Sequence, residues 1–476
     1  MLGFLEKRPW IALVVALVVQ AIAFFVGQRD LAAADPLWYA TNADTLATDP
    51  AQYFGWHDNH PFVMRLGLTG PLALIYRLFG VSLLSTNLLC LCSAALLLFV
   101  IYAAAETPRE KLIAMALATG AAPFLVRDAA MLNPDLPGAA VMALSILLLA
   151  RRRLVGAMAV WFTAFMIKET ALWCALVWLY ALVRDRREGR PLVRTYAPAI
   201  AVGAALGLAY LIFCDVYWGS PLARFKGIQA LEHTWSMEGQ SASAWLARLT
   251  WEPARLLWQM FGVVIVPAVL AIWLAPASRR IWVVAAWLFV AMYWFGSTNL
   301  THYSPLPIMF RMAYPLVPGV LIAAALATDA LITRGHGKVA IAILVLCVAP
   351  HVLKLAKMRG SRPEATAFAR VVGEARASRA PLQLVCGDPR CTSLAAFYFG
   401  FDVPANVTVS EAGTFKPVAG ARVRVLVQAD RAIEYATKVD KRAEALALPV
   451  LFRAGNVTLY DGEDGTRLAA ALSRTD

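Results

Sequence analysis

The sequence predicts a polytopic α-helical membrane protein with about eleven transmembrane helices and a small C-terminal α/β domain. Three observations predict it. The 476 residues are 60% hydrophobic and 16% charged, with a mean hydropathy of +0.61, where a soluble domain is about 25% charged. The apolar residues fall in continuous blocks, several approaching the roughly 20 residues a helix needs to cross lipid. They do not alternate as the strands of a membrane barrel do. The basic residues gather in short turns between the blocks, as in cytoplasmic loops facing anionic lipid. The net charge of +13 is therefore read as a membrane property, and no nucleic-acid partner is expected.

The blocks can be taken in order. Lys7 and Arg8 precede the first, 10–28, which lacks a clean small-residue cleavage site and reads as a retained anchor helix. A long external loop, 29–62, follows. The stretch Val63 to Gly80 is broken by Arg65, Arg77 and Gly70-Pro71 and reads as an interfacial helix. Further spans are expected at 83–105, 112–126, 138–150, 154–167, 171–183 and 196–217. A second external loop, 218–254, carries Arg224, His233, Trp235 and Trp245. The last spans are expected at 255–275, 281–297, 309–328 and 338–356. With the basic turns near 108, 152, 186, 279 and 336 placed inside, the alternation closes. The loops 29–62, 127–137, 168–170, 218–254 and 298–308 and the C-terminal segment then lie outside.

The composition changes near 363, so the chain is divided into a membrane domain, 1–362, and an α/β domain, 363–476. Short β-branched runs at Leu382 to Cys386, Val407 to Val409, Val423 to Val427 and Val450 to Phe452 read as strands. Glu364 to Arg376 and Arg431 to Leu446 read as helices. Cys386 and Cys391 are expected to form a disulfide if this domain lies outside the cytoplasm. The other five cysteines lie in or beside apolar blocks and read as packing residues.

The candidate chemistry sits in the outer loops. Asp35-Pro-Leu-Trp-Tyr39-Ala40 and His57-Asp58-Asn-His60-Pro61 share the first. Arg127, Asp128 and Asp135 follow the third expected span, and Lys168-Glu169 the fifth. His302 and Tyr303 precede Arg311-Met-Ala-Tyr314-Pro315. Ionisable groups at membrane depth are costly and suggest function. Bland readings stand beside that one. Asp35 and Asp135 suit helix caps or turns, Lys168 suits an ion pair with Glu169, and Arg311 suits a headgroup anchor. Tyr39 suits the interfacial aromatic belt.

In these motifs the chain resembles the GT-C glycosyltransferases that use lipid-linked sugars, the class of the bacterial aminoarabinose transferase and the protein mannosyltransferases. That class has a multi-span body with a catalytic Asp in its first external loop, commonly Asp-x-x-x-Tyr-Ala, then a polar stretch and an aromatic or His before Pro. Asp35, Tyr39, His60 and Pro61 match it in order. Asp135, with Asp128 as its rival, matches a later Asp. Lys168-Glu169 matches a later Lys, and Arg311 with Tyr314 a late Arg-x-x-Tyr element. The resemblance covers roughly residues 1–330. It departs at Pro36, where the class often has a second acid, so a divalent metal stays an open question.

The resemblance implies an inverting transferase in the bacterial inner membrane, with its site and its C-terminal domain in the periplasm. A sugar would pass from a polyprenyl-phosphate donor to a glycan or glycolipid of the envelope, lipopolysaccharide among them. Asp35 would act as the base. Lys168, Arg127 and Arg311 would meet the phosphate, with Tyr39, His57, Asp58, His60, Asp128, Asp135, Glu169, His302, Tyr303 and Tyr314 contributing to binding. Membrane lipid, the donor and the acceptor are the expected partners, and the chain is expected to act as a monomer. The alternative is a transporter or flippase for a lipid-linked sugar. Inverted repeats would favour it, and none is evident.

Overall fold

The computed structural model describes all residues except 1, 32–34, 56–62, 121–124, 126–128, 232–236, 238, 298–302, 358–361, 388, 429–433 and 463–476. The chain forms two compact units. One comprises Met1–Gly27, Asp49–Pro71 and Asn87–Arg359; the other comprises Gln28–Thr48, Leu72–Thr86 and Gly360–Asp476.

The protein is a polytopic helical membrane protein, but among the described residues fewer helices than the eleven expected are long and apolar enough to cross. Among the described residues six helical stretches are long and apolar enough to cross: Trp10–Gly27, Leu83–Ala104, Leu192–Trp218, Ala242–Leu274, Leu316–Thr333 and Gly337–Lys354. The reason is length. Asp135–Ala150 has 16 residues and Leu154–Ile167 has 14. At 1.5 Å per residue they reach roughly 24 and 21 Å, short of the ~30 Å hydrocarbon core.

Packing in the first unit rests on small residues. Leu316–Thr333 is buried along most of its length. A Cβ on its Gly319 would stand 2.9 Å from both Cα and N of Ala286. The glycine is what lets the two helix backbones touch. Asp135–Ala150 and Leu154–Ile167 form a hairpin whose turn holds Arg152 at φ 62°. Ser145 donates to the Ala157 carbonyl across it at 2.8 Å. Arg152 pairs with buried Asp185, which also accepts from Tyr196 at 2.9 Å. A second basic turn is anchored by Arg279, 3.1 Å from Glu110. These turns are thus tied down as well as charged.

Both expected external loops contain helix. Residues 29–62 include Asp35–Thr48 and Pro50–Gly55. Residues 218–254 include Ala223–Leu231 and Ala242–Leu249, and Trp251–Phe261 begins before their end. The expected interfacial helix forms as Leu66–Phe79.

The second unit contains a five-stranded sheet ordered β2-β1-β3-β5-β4. β1 (Leu382–Cys386) pairs in parallel with β2 (Val407–Glu411) and β3 (Arg422–Gln428). β5 (Val457–Asp461) runs antiparallel to β3 and to β4 (Val450–Ala454). β1 is buried at every residue, as expected of a parallel strand covered on both faces. Val385, Val425, Val427, Val439 and Tyr460 share one core cluster of this unit. The sequence reading missed β5. It forms because Gly455, at φ 58°, turns the chain back on β4. Pro363–Ala377 is capped by Asp30, whose carboxylate accepts from the Glu364 and Ala365 amides at 2.9 and 2.8 Å. Cys386 and Cys391 form a disulfide between the end of β1 and the helix Pro389–Tyr398.

Candidate functional site

The first unit brings together five charged side chains from four segments. Asn133 accepts from the backbone amides of Asp135 and Leu136 at 3.0 and 3.3 Å. It does the capping work at the start of Asp135–Ala150, which leaves the Asp135 carboxylate for another partner. That partner is Lys168: its ammonium bonds Asp135 Oδ1, with both residues buried. Lys168 Nζ also lies 3.1 Å from Met312 Sδ. The turn Arg311–Ala313 is thereby set against the pair.

Lys168 follows Leu154–Ile167 with extended backbone, φ −153° and ψ 145°. In extended chain, neighbouring side chains point to opposite sides. The alternative reading, an ion pair of Lys168 with Glu169, is therefore not met among the described salt bridges, and Glu169 turns to Arg65 and Arg224. Arg65 Nη2 is 2.9 Å from Oε2 and its Nε 3.3 Å from Oε1. Arg224 presents Nε at 2.9 Å and Nη2 at 2.8 Å to Oε1. The Arg224 guanidinium also lies 4.5 Å over the Phe165 ring and reaches Tyr210 Oη at 3.4 Å. Gly67 matters here. A Cβ there would stand 2.9 Å from Ile167 N, so glycine lets the helix beginning at Leu66 seat Arg65 beside Glu169.

Electrostatics follow from this layout. Burial alone would raise the Glu169 carboxyl, but the two guanidiniums outweigh it and hold the group well below the usual carboxylate range. Burial pulls the Lys168 ammonium below its usual range, against the opposing pull of Asp135. Three cations against two carboxylates leave one unit of positive charge in a largely dry setting. Such an arrangement can meet an anion with donors already oriented. Both carboxylates are already neutralised, which makes them poor ligands for a divalent metal. Among the described residues no three His, Cys, Asp or Glu side chains group as a metal site.

The other candidates fall in several places. Arg311 is half-buried and Tyr314 buried in the turn beside Met312. Tyr303 is elsewhere, stacked on Trp245 at 5.2 Å. Asp35, half-buried, opens the helix Asp35–Thr48 of the second unit, and Tyr39 is fully buried one turn on. His57, Asp58, His60, Arg127, Asp128 and His302 lie outside the described residues. The sequence reading noted Arg65 only as a break in an apolar run and Arg224 only as a loop residue. Met312 carried no signal.

No family model and no curated protein matches the chain. Solved structures do. The chain is similar to ArnT from Cupriavidus metallidurans in the apo state, at 16% identity and a TM-score of 0.59, covering 98% of each chain. It is also similar to ArnT from the same organism bound to undecaprenyl phosphate. There identity is 16% and the TM-score 0.54, over 94% of this chain and 97% of that one. At this identity the likeness concerns architecture alone: the chain shares the overall fold of these ArnT structures.

Proposed function

We propose that the protein is an inverting glycosyltransferase that moves a sugar from a polyprenyl-phosphate donor to a glycan or lipid of the cell envelope, at the periplasmic face of the bacterial inner membrane. The observation that carries this reading is the buried Arg65–Glu169–Arg224 and Lys168–Asp135 cluster, with its excess of positive charge. The likeness in fold to ArnT, one of whose structures holds undecaprenyl phosphate, supports it.

The chemistry is a single displacement. Asp35 accepts the proton of an acceptor hydroxyl as that oxygen attacks the anomeric carbon. The bond from that carbon to the phosphate oxygen breaks, and the electron pair leaves with the phosphate. The charge that grows there calls for cations, and the first unit supplies that chemistry in Lys168, Arg65 and Arg224. Phosphate departs as an anion, so no second acid is needed, and one displacement inverts the anomeric centre.

The test is Asp35→Asn, assayed with a synthetic polyprenyl-phosphate sugar in detergent. The expected result is a loss of turnover of about 10²–10⁴-fold with donor binding retained. Unchanged turnover would remove Asp35 from the mechanism. Repeating the assay with EDTA and with added divalent ions decides whether a metal takes part.

A further inference from the structure

The helix Asp35–Thr48 buries a polar group that the mechanism above does not use. Asn42 is 0% exposed, and among the described residues neither its Oδ1 nor its Nδ2 has a hydrogen-bond partner. Its polar neighbours on the helix behave otherwise. The hydroxyls of Thr41, Thr45 and Thr48 each donate to the carbonyl four residues back, at 3.0, 3.0 and 2.9 Å. Buried amides are almost always paired, because leaving one unpaired forfeits its bonds to water.

Position gives the amide its meaning. At about 100° per residue, Asp35, Tyr39 and Asn42 fall within roughly 60° of one another on the helix surface. Asn42 lies about 10 Å along the axis from Asp35, with the buried Tyr39 between them. A second buried amide without partners, Gln20, is a useful contrast. Its buried neighbours on the first span are Ala16, Ala23, Phe24 and Gly27, and no ionisable group shares its stripe. An amide offers one acceptor oxygen and two N–H donors. A hydroxyl, being donor and acceptor at once, satisfies either end.

We propose that Asn42 is a substrate-binding residue that takes a hydroxyl of a sugar lying along the Asp35 face of this helix. This rests on the transferase reading and deepens it. The sugar belongs to either the lipid-linked donor or the acceptor glycan, and separate kinetics identify which. The competing occupant is a buried water, which would make the amide a structural group.

The experiment uses the full-length protein in detergent, with a synthetic polyprenyl-phosphate sugar and the acceptor varied in turn. Asn42→Leu keeps the branched shape, at somewhat larger volume, and removes both polar atoms. The expected result is a rise of at least about tenfold in KM for one of the two substrates, with the melting temperature at or above that of the unmodified protein. Tenfold corresponds to the loss of about one good hydrogen bond. Asn42→Ser, which puts a hydroxyl in place of the amide, should give an intermediate KM, and it serves if the leucine variant fails to fold. Unchanged KM values in an active variant overturn the inference and leave the transferase reading standing. A melting temperature that falls in Asn42→Leu and returns in Asn42→Ser, with KM unmoved, also overturns it in favour of structural water. An unmodified protein that turns over no lipid-linked sugar overturns both.

Discussion

Glu169 is the residue on which the charged cluster depends. It is the single carboxylate between two guanidiniums, and both Arg65 and Arg224 are largely buried. Removing one member of a buried ion pair leaves an uncompensated charge out of water, which costs roughly 3–5 kcal/mol. Glu169→Gln should lower stability by about that much in a thermal melt, even though glutamine keeps the shape. The pH dependence has a definite sign. Burial works against the charged form, the guanidiniums outweigh it, and the folded-state carboxyl titrates below its unfolded value. Its contribution is therefore fully present above the unfolded carboxylate range, about 4.3, and drains away as pH falls toward the folded value. The glutamine variant should lose that part of the acid sensitivity. Asp135, Lys168 and Glu169 were each visible in the sequence as ionisable groups at block edges. Their pairing was not. One residue of extended backbone at Lys168 sends adjacent side chains apart, and the partners come from segments 33 to 104 positions away.

At the scale of elements, the apolar blocks announced a helical membrane body, while helix length decided which blocks span it. Several expected spans are real helices of 13 to 16 residues, and composition alone does not separate a short buried helix from a full crossing. The outer loops read as external connections because they are polar, and within the first Asp35-Pro36 carries a helix-start signal, an N-terminal acid with proline in the first turn. The close crossing of Leu316–Thr333 with Arg280–Phe295 was illegible for a different reason. Gly319 looks like any glycine in an apolar run, and only a partner backbone 2.9 Å from where its Cβ would stand gives it a role. Gly319→Val would drive two methyl groups into that backbone. Overpacking of this kind costs about 1–3 kcal/mol. The variant should melt earlier in detergent, and Gly319→Ala should lie between it and the unmodified protein.

For the whole molecule, the open physical question is which way the chain faces, and a disulfide can answer it. The basic turns predict which side of the membrane faces the cytoplasm, and odd or even counting of spans is a weak guide when short helices intervene. The C-terminal unit offers an independent marker. Cys386 and Cys391 are bonded, while Cys90, Cys92, Cys174, Cys214 and Cys347 are free. Disulfides persist outside the cytoplasm and are reduced within it. If the sheet-bearing unit is periplasmic, membranes denatured and treated with maleimide should label five cysteines without reductant and seven after it. Seven in both conditions would put that unit in the reducing compartment. The orientation drawn from the basic turns would then be wrong, and sugar transfer at the periplasmic face would fail with it. Because the pair is buried, the labelling must follow denaturation. Protection in the native state would otherwise report burial in place of the bond.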